Sequence, residues 1–388
     1  MKKLCLTLSI ILFLGTAFLL SSCISDSEVK AELFTEGKDS VVTITISFVG
    51  DLMCHSTQFN YARVDKDSFD FRPVYREIKN YLSSPDFTIG NLETVTAGRQ
   101  AGYSGYPFFN TPDDYIAALK DAGFDLLVTA NNHSLDKGEM GVLRTIEQIR
   151  KNGLHSVGTF TSQEDRDSIR VFNINGINAA ILSYTYGTNG IEKPKGKDYI
   201  VNLIDYKLIE KDITEARNTA DIVIVYYHFG DEYKRLPNQY QKEVVNKSIE
   251  SGADIIIGSH PHVVQPVDFY KSQNARLDTG FIAYSLGNFI SNQRWRYSDA
   301  GVILNINITK NFTADSLFIS EVNYLPTWVF RGATNTGNEY IILPSQRYDD
   351  SLYYFLSAEH KNQMKQAFED TRSILTQFNN RIKLYKTN

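Results

Sequence analysis

The sequence predicts an α/β fold of stacked layers, and three observations carry that prediction. From Val41 onward, short β-branched runs alternate with stretches of helical periodicity. Glycines close several of the helical stretches, as helix C-termini require. Several of the runs are almost wholly apolar, the pattern of strands covered on both faces.

The runs read as strands are Val41–Val49, Phe87–Ile89, Asp125–Val128, Ile177–Ser183, Asp221–Tyr227, Asp254–Ile257 and Phe281–Tyr284. Between them lie helical patterns at Val74–Leu82, Tyr115–Ala122, Met140–Lys151, Lys207–Thr219 and Gln241–Ser251. Pro112 stands near the start of one helix, and Gly123, Gly153 and Gly252 close three. After Gly301 the character turns to strand alone: Val302–Ile308, Leu317–Leu325, Trp328–Phe330 and Tyr340–Leu343. We read residues 41–300 as one domain, and 301–345 as a β extension that lengthens or caps its sheet. Residues 346–388 close the chain as an amphipathic helix, with Met364, Phe368, Leu375, Phe378 and Ile382 on the stripe that docks.

Upstream of this domain the chain looks like an export signal. Lys2 and Lys3 precede an apolar run from Leu4 to Leu20, which is followed by Ser21, Ser22 and Cys23. A basic start, a short apolar stretch and small residues at its end describe a secretory signal over 1–22. Cys23 after two serines resembles a bacterial lipobox, which makes it the lipidated first residue of the mature chain and residues 23–40 a polar tether. A plain cleavable signal or an uncleaved anchor is the alternative. The expected location is therefore outside the inner membrane, with a lipid anchor to the cell envelope. Of the three cysteines, Cys5 leaves with the signal and Cys23 carries lipid, so Cys54 has no partner for an internal disulfide. The net charge of −5 argues against a nucleic-acid partner, which would call for a basic face.

Polar residues gather where the strands end. The first strand runs into Gly50-Asp51, the second into Gly90-Asn91-Leu92-Glu93, and the third into Thr129-Ala130-Asn131-Asn132-His133. His228-Phe229-Gly230-Asp231-Glu232 follows the fifth, and Gly258-Ser259-His260-Pro261-His262 the sixth. In open α/β folds ligands bind outside the carboxyl ends of the strands. Singly, each residue has a plain reading: Asp51 as a cap, Glu93 as a solvated carboxylate, Asn132 as a turn residue, His228 as a core histidine. His260-x-His262 has no obvious packing role. Together the nitrogen and oxygen donors, with no sulfur, suit zinc, manganese or iron.

These stretches, with Asn131–Asp136, His262–Pro266 and Tyr284-Ser285-Leu286-Gly287-Asn288-Phe289, resemble the ordered motifs of the capsule-synthesis CapA family of the poly-γ-glutamate type. That family is similar in fold to calcineurin-like metallophosphatases. The resemblance implies a layered β-sandwich flanked by helices. It also implies metal ligands at Asp51, Glu93, Asn132, His228, His260 and His262, and a general acid at His133. Two departures stand out. The Asp-x-His of calcineurin-like enzymes is missing, with the nearest histidine at His55, and Glu93 replaces a shorter Asp. Either change threatens one of two divalent ions, so a single ion is the alternative, and His55 is either a compensating ligand or a polar strand-end residue. Glu93 is the candidate bridge between ions.

Arg294 and Arg296, with Lys234-Arg235, offer cations for an anionic polymer or a phosphoester substrate, or else are solvated surface charge. The glycine- and aromatic-rich stretch Gly98–Phe109 is either a ligand-contacting or a packed loop, His155 is structural, and His360 faces solvent. Three functions fit: a metal-dependent phosphoesterase-like hydrolase, a non-catalytic accessory in assembling or exporting an anionic surface polymer as part of an envelope complex, and an amide hydrolase or transferase acting on such a polymer.

Overall fold

A computed structural model of the chain describes residues 40–274 and 277–387. The signal, the lipidation position Cys23 and all of the tether except Ser40 lie outside the described residues. Among those residues, no helix is long and apolar enough to cross a membrane.

Two sheets face each other, with helices on both outer sides. In the larger, strand Val41–Leu52 lies centrally; it pairs in parallel with Phe87–Leu92 and Asn288–Ile290, and antiparallel with Ala300–Asn311. Leu126–Val128 and His155–Val157 continue this sheet on one side, Ser316–Thr334 and Gly337–Pro344 on the other. The smaller sheet is built on the parallel strands Ile177–Thr185, Ile222–His228, Ile255–Ser259 and Thr279–Ala283, with antiparallel strands Arg170–Ile174 and Val267–Lys271 at its edges.

Strand periodicity divides the core. Ile222, Ile224 and Tyr226 point between the sheets and pack with Ile44, Ile46, Phe48 and Ile89. Val223 and Val225, one residue out of step, pack outward on Ile209, Ile213, Val244 and Val245 of the helices Tyr206–Arg217 and Gln239–Ser251. Val49 and Leu52 face the opposite outer layer with Ile116, Leu119 and Ile149. The result is helix, sheet, sheet, helix, the layered α/β arrangement expected.

Several expected elements change shape. The single helix expected over Val74–Leu82 is two short ones, Arg72–Tyr75 and Lys79–Ser83. Leu317–Leu325 and Trp328–Phe330 are one long strand, which tolerates Pro326 because Pro needs no ladder donor there. The terminal helix ends at Leu375, so Phe378 and Ile382 lie beyond it, yet Ile382 still joins Ile374 and Leu375 in the inter-sheet core. His360 does not simply face solvent. Its ring packs on Trp328 and Phe330 at 6.1 and 5.2 Å, because the helix lies across their strand. His155 rests edge-on against Phe172 at 4.9 Å.

Candidate metal centre

Both sheets end at one edge, and the polar residues converge there. Asp51 stands next to the end of the central strand, just past a bulge at Gly50. Gly50 cannot be replaced: a Cβ would come 1.9 Å from the carbonyl oxygen of Gly287. Gly258 obeys the same rule on the other sheet, where a Cβ would sit 2.0 Å from Tyr284 O. These close approaches bring the chain segments at the site together. Tyr226 ties the two sheets, donating to Val49 O at 2.6 Å beside Ser259 Oγ at 3.1 Å.

Asp51, Glu93, Asn132, His133, His228, His260 and His262 are all buried. Ligand atoms of Glu93, His228 and His260 lie within 4.8 Å of one another, and so do those of Asp51, Glu93 and His262. Glu93 belongs to both groups. Its Oε1 is 3.4 Å from His228 Nε2 and 3.9 Å from His262 Nε2. Asn132 Oδ1 meets His228 Nε2 at 2.8 Å, and Asp51 Oδ2 meets His262 Nδ1 at 3.0 Å. The six residues expected as ligands are thus brought to one place. His55 belongs to neither group.

The donor atoms are left open. Both oxygens of Glu93 and Nδ1 of His260 are buried without a hydrogen-bond partner among the described residues. Burial, then the negative charge of Asp51, pushes the Glu93 carboxyl well above the usual carboxylate range. Burial, then neighbouring imidazoles, holds His228 and His260 well below the usual histidine range. An unanswered buried carboxylate beside an unpartnered imidazole nitrogen is what a cation would complete, so these residues fit divalent metal. The backbone is strained at the same point. His260 and His262 take φ of +100° and +58°, a region that favours glycine, at a cost of about 1–3 kcal/mol each.

His133 stands beside this centre. Its Nδ1 lies 2.8 Å from Asp136 Oδ2, and its ring meets Phe109 edge-on at 4.6 Å. Asp136 Oδ2 also accepts from the Phe109 backbone N–H at 2.6 Å, so the carboxylate locks the imidazole and the aromatic loop together. Phe109 is therefore the residue that the loop Gly98–Phe109 gives to the site. Sequence reasoning assigned no role to Asn91 or Asp136, although both stand inside quoted motifs. Asn91 Nδ2 donates to Asp51 Oδ1 at 2.9 Å and lies 3.2 Å from His228 Nδ1, holding both side chains. Tyr186 is a further neighbour, its ring 4.5 Å from that of His260.

Arg294 and Arg296 turn to groups of the chain itself. Arg294 is drawn inward to donate to Val329 O and lies over the Trp328 ring. Arg296 is paired bidentately with Asp370 at 2.9 Å, and Arg235 donates to Asp370 O at 2.7 Å. Carboxylate and carbonyl groups of the chain itself thus accept from the guanidiniums that the sequence offered as substrate contacts.

The fold and this edge define a layered α/β protein with a candidate two-ion centre. The family profile described as bacterial capsule synthesis protein PGA_cap matches residues 45–293, more than half of the chain. The chain belongs to that family of capsule and poly-γ-glutamate biosynthesis proteins. It is 31% identical to the capsule biosynthesis protein CapA of Bacillus anthracis over 70% of this chain and 65% of that one. It is 30% identical to the PGA biosynthesis protein CapA of Bacillus subtilis over 70% of this chain and 69% of that one. The match thus spans just under two thirds of the first relative's length. Among solved structures, a phosphatase from Mycoplasma pneumoniae aligns with TM-score 0.45 at 14% identity, over 74% of this chain and 94% of that one. A 5'-nucleotidase precursor from Thermus thermophilus aligns with TM-score 0.42 at 11% identity, over 86% and 59%.

Proposed function

We propose that the chain is a divalent-metal-dependent, phosphoesterase-like hydrolase of the cell envelope, working in the synthesis of a capsule or poly-γ-glutamate type polymer. The observation that carries this reading is Glu93, a buried carboxylate with both oxygens open, shared by two histidine-containing groups. Glu93, His228 and His260, with Asn132, would hold one ion, and Asp51, Glu93 and His262 the other. The nitrogen and oxygen donors suit manganese, zinc or iron. When bound, such ions supply Lewis-acid polarisation and activation of water.

The chain's own residues supply the rest. Asp136 fixes His133 by Nδ1, which leaves Nε2 to give a proton to the leaving oxygen as the ester bond breaks. Phe109, buried between His55 and His133, keeps bulk water off one side of that imidazole. Asn91 holds Asp51 and His228 in the orientations their groups need. A catalytic role is favoured over a purely accessory one by His133, because a carboxylate-locked imidazole adds nothing to polymer scaffolding. We also propose that Cys23 carries lipid and anchors the exported chain; Cys23→Ser should then lose fatty-acid labelling and release soluble protein.

The test of the hydrolase reading is a leaving-group series. His133→Ala should lower kcat about 10²–10⁴-fold with metal content and KM little changed. The loss should shrink for a nitrophenolate leaving group, which scarcely needs protonation. In the cell, full restoration of surface polymer by the inactive His133→Ala protein would sink the catalytic role and leave the accessory one.

A further inference from the structure

A line of aromatic rings leads from the metal centre to the surface. The His262 ring lies 6.0 Å from that of His260, Tyr233 lies 6.0 Å from His262, and Trp295 lies 5.2 Å from Tyr233. The two histidines are buried, whereas Tyr233 is 39% and Trp295 51% exposed. Large rings left open beside buried donor groups mark a surface that binds.

The pair is held in place. Tyr233 takes φ of +63°, a left-handed conformation that a bulky residue keeps only when its surroundings fix it. Its backbone N–H donates to Pro261 O at 2.7 Å, inside the His260-Pro261-His262 turn. One buried amide then positions both rings. Asn288 sits opposite Asp51 in the neighbouring strand, and its Nδ2 donates to Gln293 Oε1 at 2.9 Å and to Ser298 O at 2.8 Å. Gln293 Nε2 donates in turn to the Tyr233 hydroxyl at 3.2 Å, and the Ser298 N–H donates to Trp295 O at 3.0 Å. Rings ordered before a ligand arrives lose less freedom when it binds.

Shape and charge narrow the ligand. The Tyr233 and Trp295 planes stand 68° apart. Such a corner suits the thick, puckered ring of a sugar, with its apolar C–H faces, better than a flat base, which stacks on a parallel plane. Asp231 and Glu232 precede Tyr233 and Lys234 follows it, all exposed, while Arg235 is turned to Asp370 O. The carboxylates accept from hydroxyls and repel an anionic polymer.

We propose that Tyr233 and Trp295 form the binding platform for the alcohol half of the ester, and that this half is a neutral sugar ring, not a run of ionised glutamates. The proposal rests on the phosphoester reading above and gives it a substrate class.

The test reads binding, not turnover. The full chain loaded with Mn²⁺ is titrated calorimetrically with two unreactive ligands, a glucosyl C-methylphosphonate and propylphosphonate. Wild type should prefer the glucosyl ligand about 10-fold, the scale of a good aromatic contact. Trp295→Ala and Tyr233→Ala should each remove most of that preference at unchanged manganese content. Trp295→Ala, at the more exposed position, carries the test where the strained Tyr233 site does not tolerate change. Equal binding of the two ligands by wild type, or a preference that survives in Trp295→Ala, overturns the platform and leaves the phosphoester reading standing. Tighter binding of a nucleoside methylphosphonate or a γ-linked glutamate oligomer than of the glucosyl ligand overturns the sugar assignment. Failure of every phosphonate to bind loaded wild type sinks both readings together. Fluorescence gives a check that needs no variant. Of the two tryptophans Trp328 is fully buried, so solvent-sensitive emission comes from Trp295. Bound glucosyl ligand should shift that emission to shorter wavelength, and emission unmoved at saturation refutes the contact.

Discussion

Two buried clusters of charge in this chain are built in opposite ways. Around Arg166 every charged group is answered. Its guanidinium makes a bidentate pair with Asp212 and donates to Asn202 Oδ1 at 3.1 Å, while the Tyr184 hydroxyl donates to Asp212 Oδ2 at 2.7 Å. Around Glu93 the carboxylate oxygens and a histidine nitrogen have no hydrogen-bond partner among the described residues, and two histidines sit in left-handed backbone. The first cluster is finished by the fold itself. The second is finished only by something the chain must bind. Burial alone does not distinguish structure from site; the state of the hydrogen bonds does.

The largest effect should fall on the finished cluster. Arg166→Met strands Asp212 in the interior and should cost about 3–5 kcal/mol in chemical denaturation. A loss below about 1 kcal/mol would break the comparison, because it would mean that Asp212 is not relying on its pair. The open cluster should behave otherwise. His260→Ala and His262→Ala should each lose about one equivalent of bound metal and shrink the rise in Tm on metal addition, while the metal-free Tm stays near that of the parent.

Glu93 sharpens the contrast through pH. Its carboxyl titrates higher in the fold than in the unfolded chain, chiefly through burial. The stability this contributes is full at acid pH and is lost as pH rises through the folded pKa. In metal-free protein, Glu93→Gln should therefore match the parent near about pH 4 and exceed it by about 1 kcal/mol or more at about pH 8. A destabilised variant at the higher pH would show that the carboxylate is already answered. The smallest effect belongs to Arg296→Ala: its pair with Asp370 is solvent-exposed, so metal content and turnover should not change.

The sequence made most of this centre legible because its residues stand at strand ends inside short motifs. Asp51, Glu93, His228, His260 and His262 are far apart in the chain, yet each follows an apolar run whose direction says where it points. What escaped was pairing. Arg294 and Arg296 look like free cations until Val329 O and Asp370 are seen beside them, and Asp370 lies 74 residues from Arg296 on the terminal helix. Asn91 and Asp136 were visible as letters, but their roles depend on which atoms they face. The division of the strands between two sheets was hidden for a similar reason. Ile44 and Ile224 have the same local pattern, and only tertiary packing sets them against each other.

Glu93 belongs to both groups, and metal content of purified protein tests its shared role most directly. After dialysis against metal-free buffer, wild type should retain two equivalents of a divalent transition metal by elemental analysis. Asp51→Asn should lose one equivalent, and Glu93→Gln should lose both while its circular dichroism stays that of the parent. Wild-type metal content in a folded Glu93→Gln protein would contradict the shared-carboxylate centre.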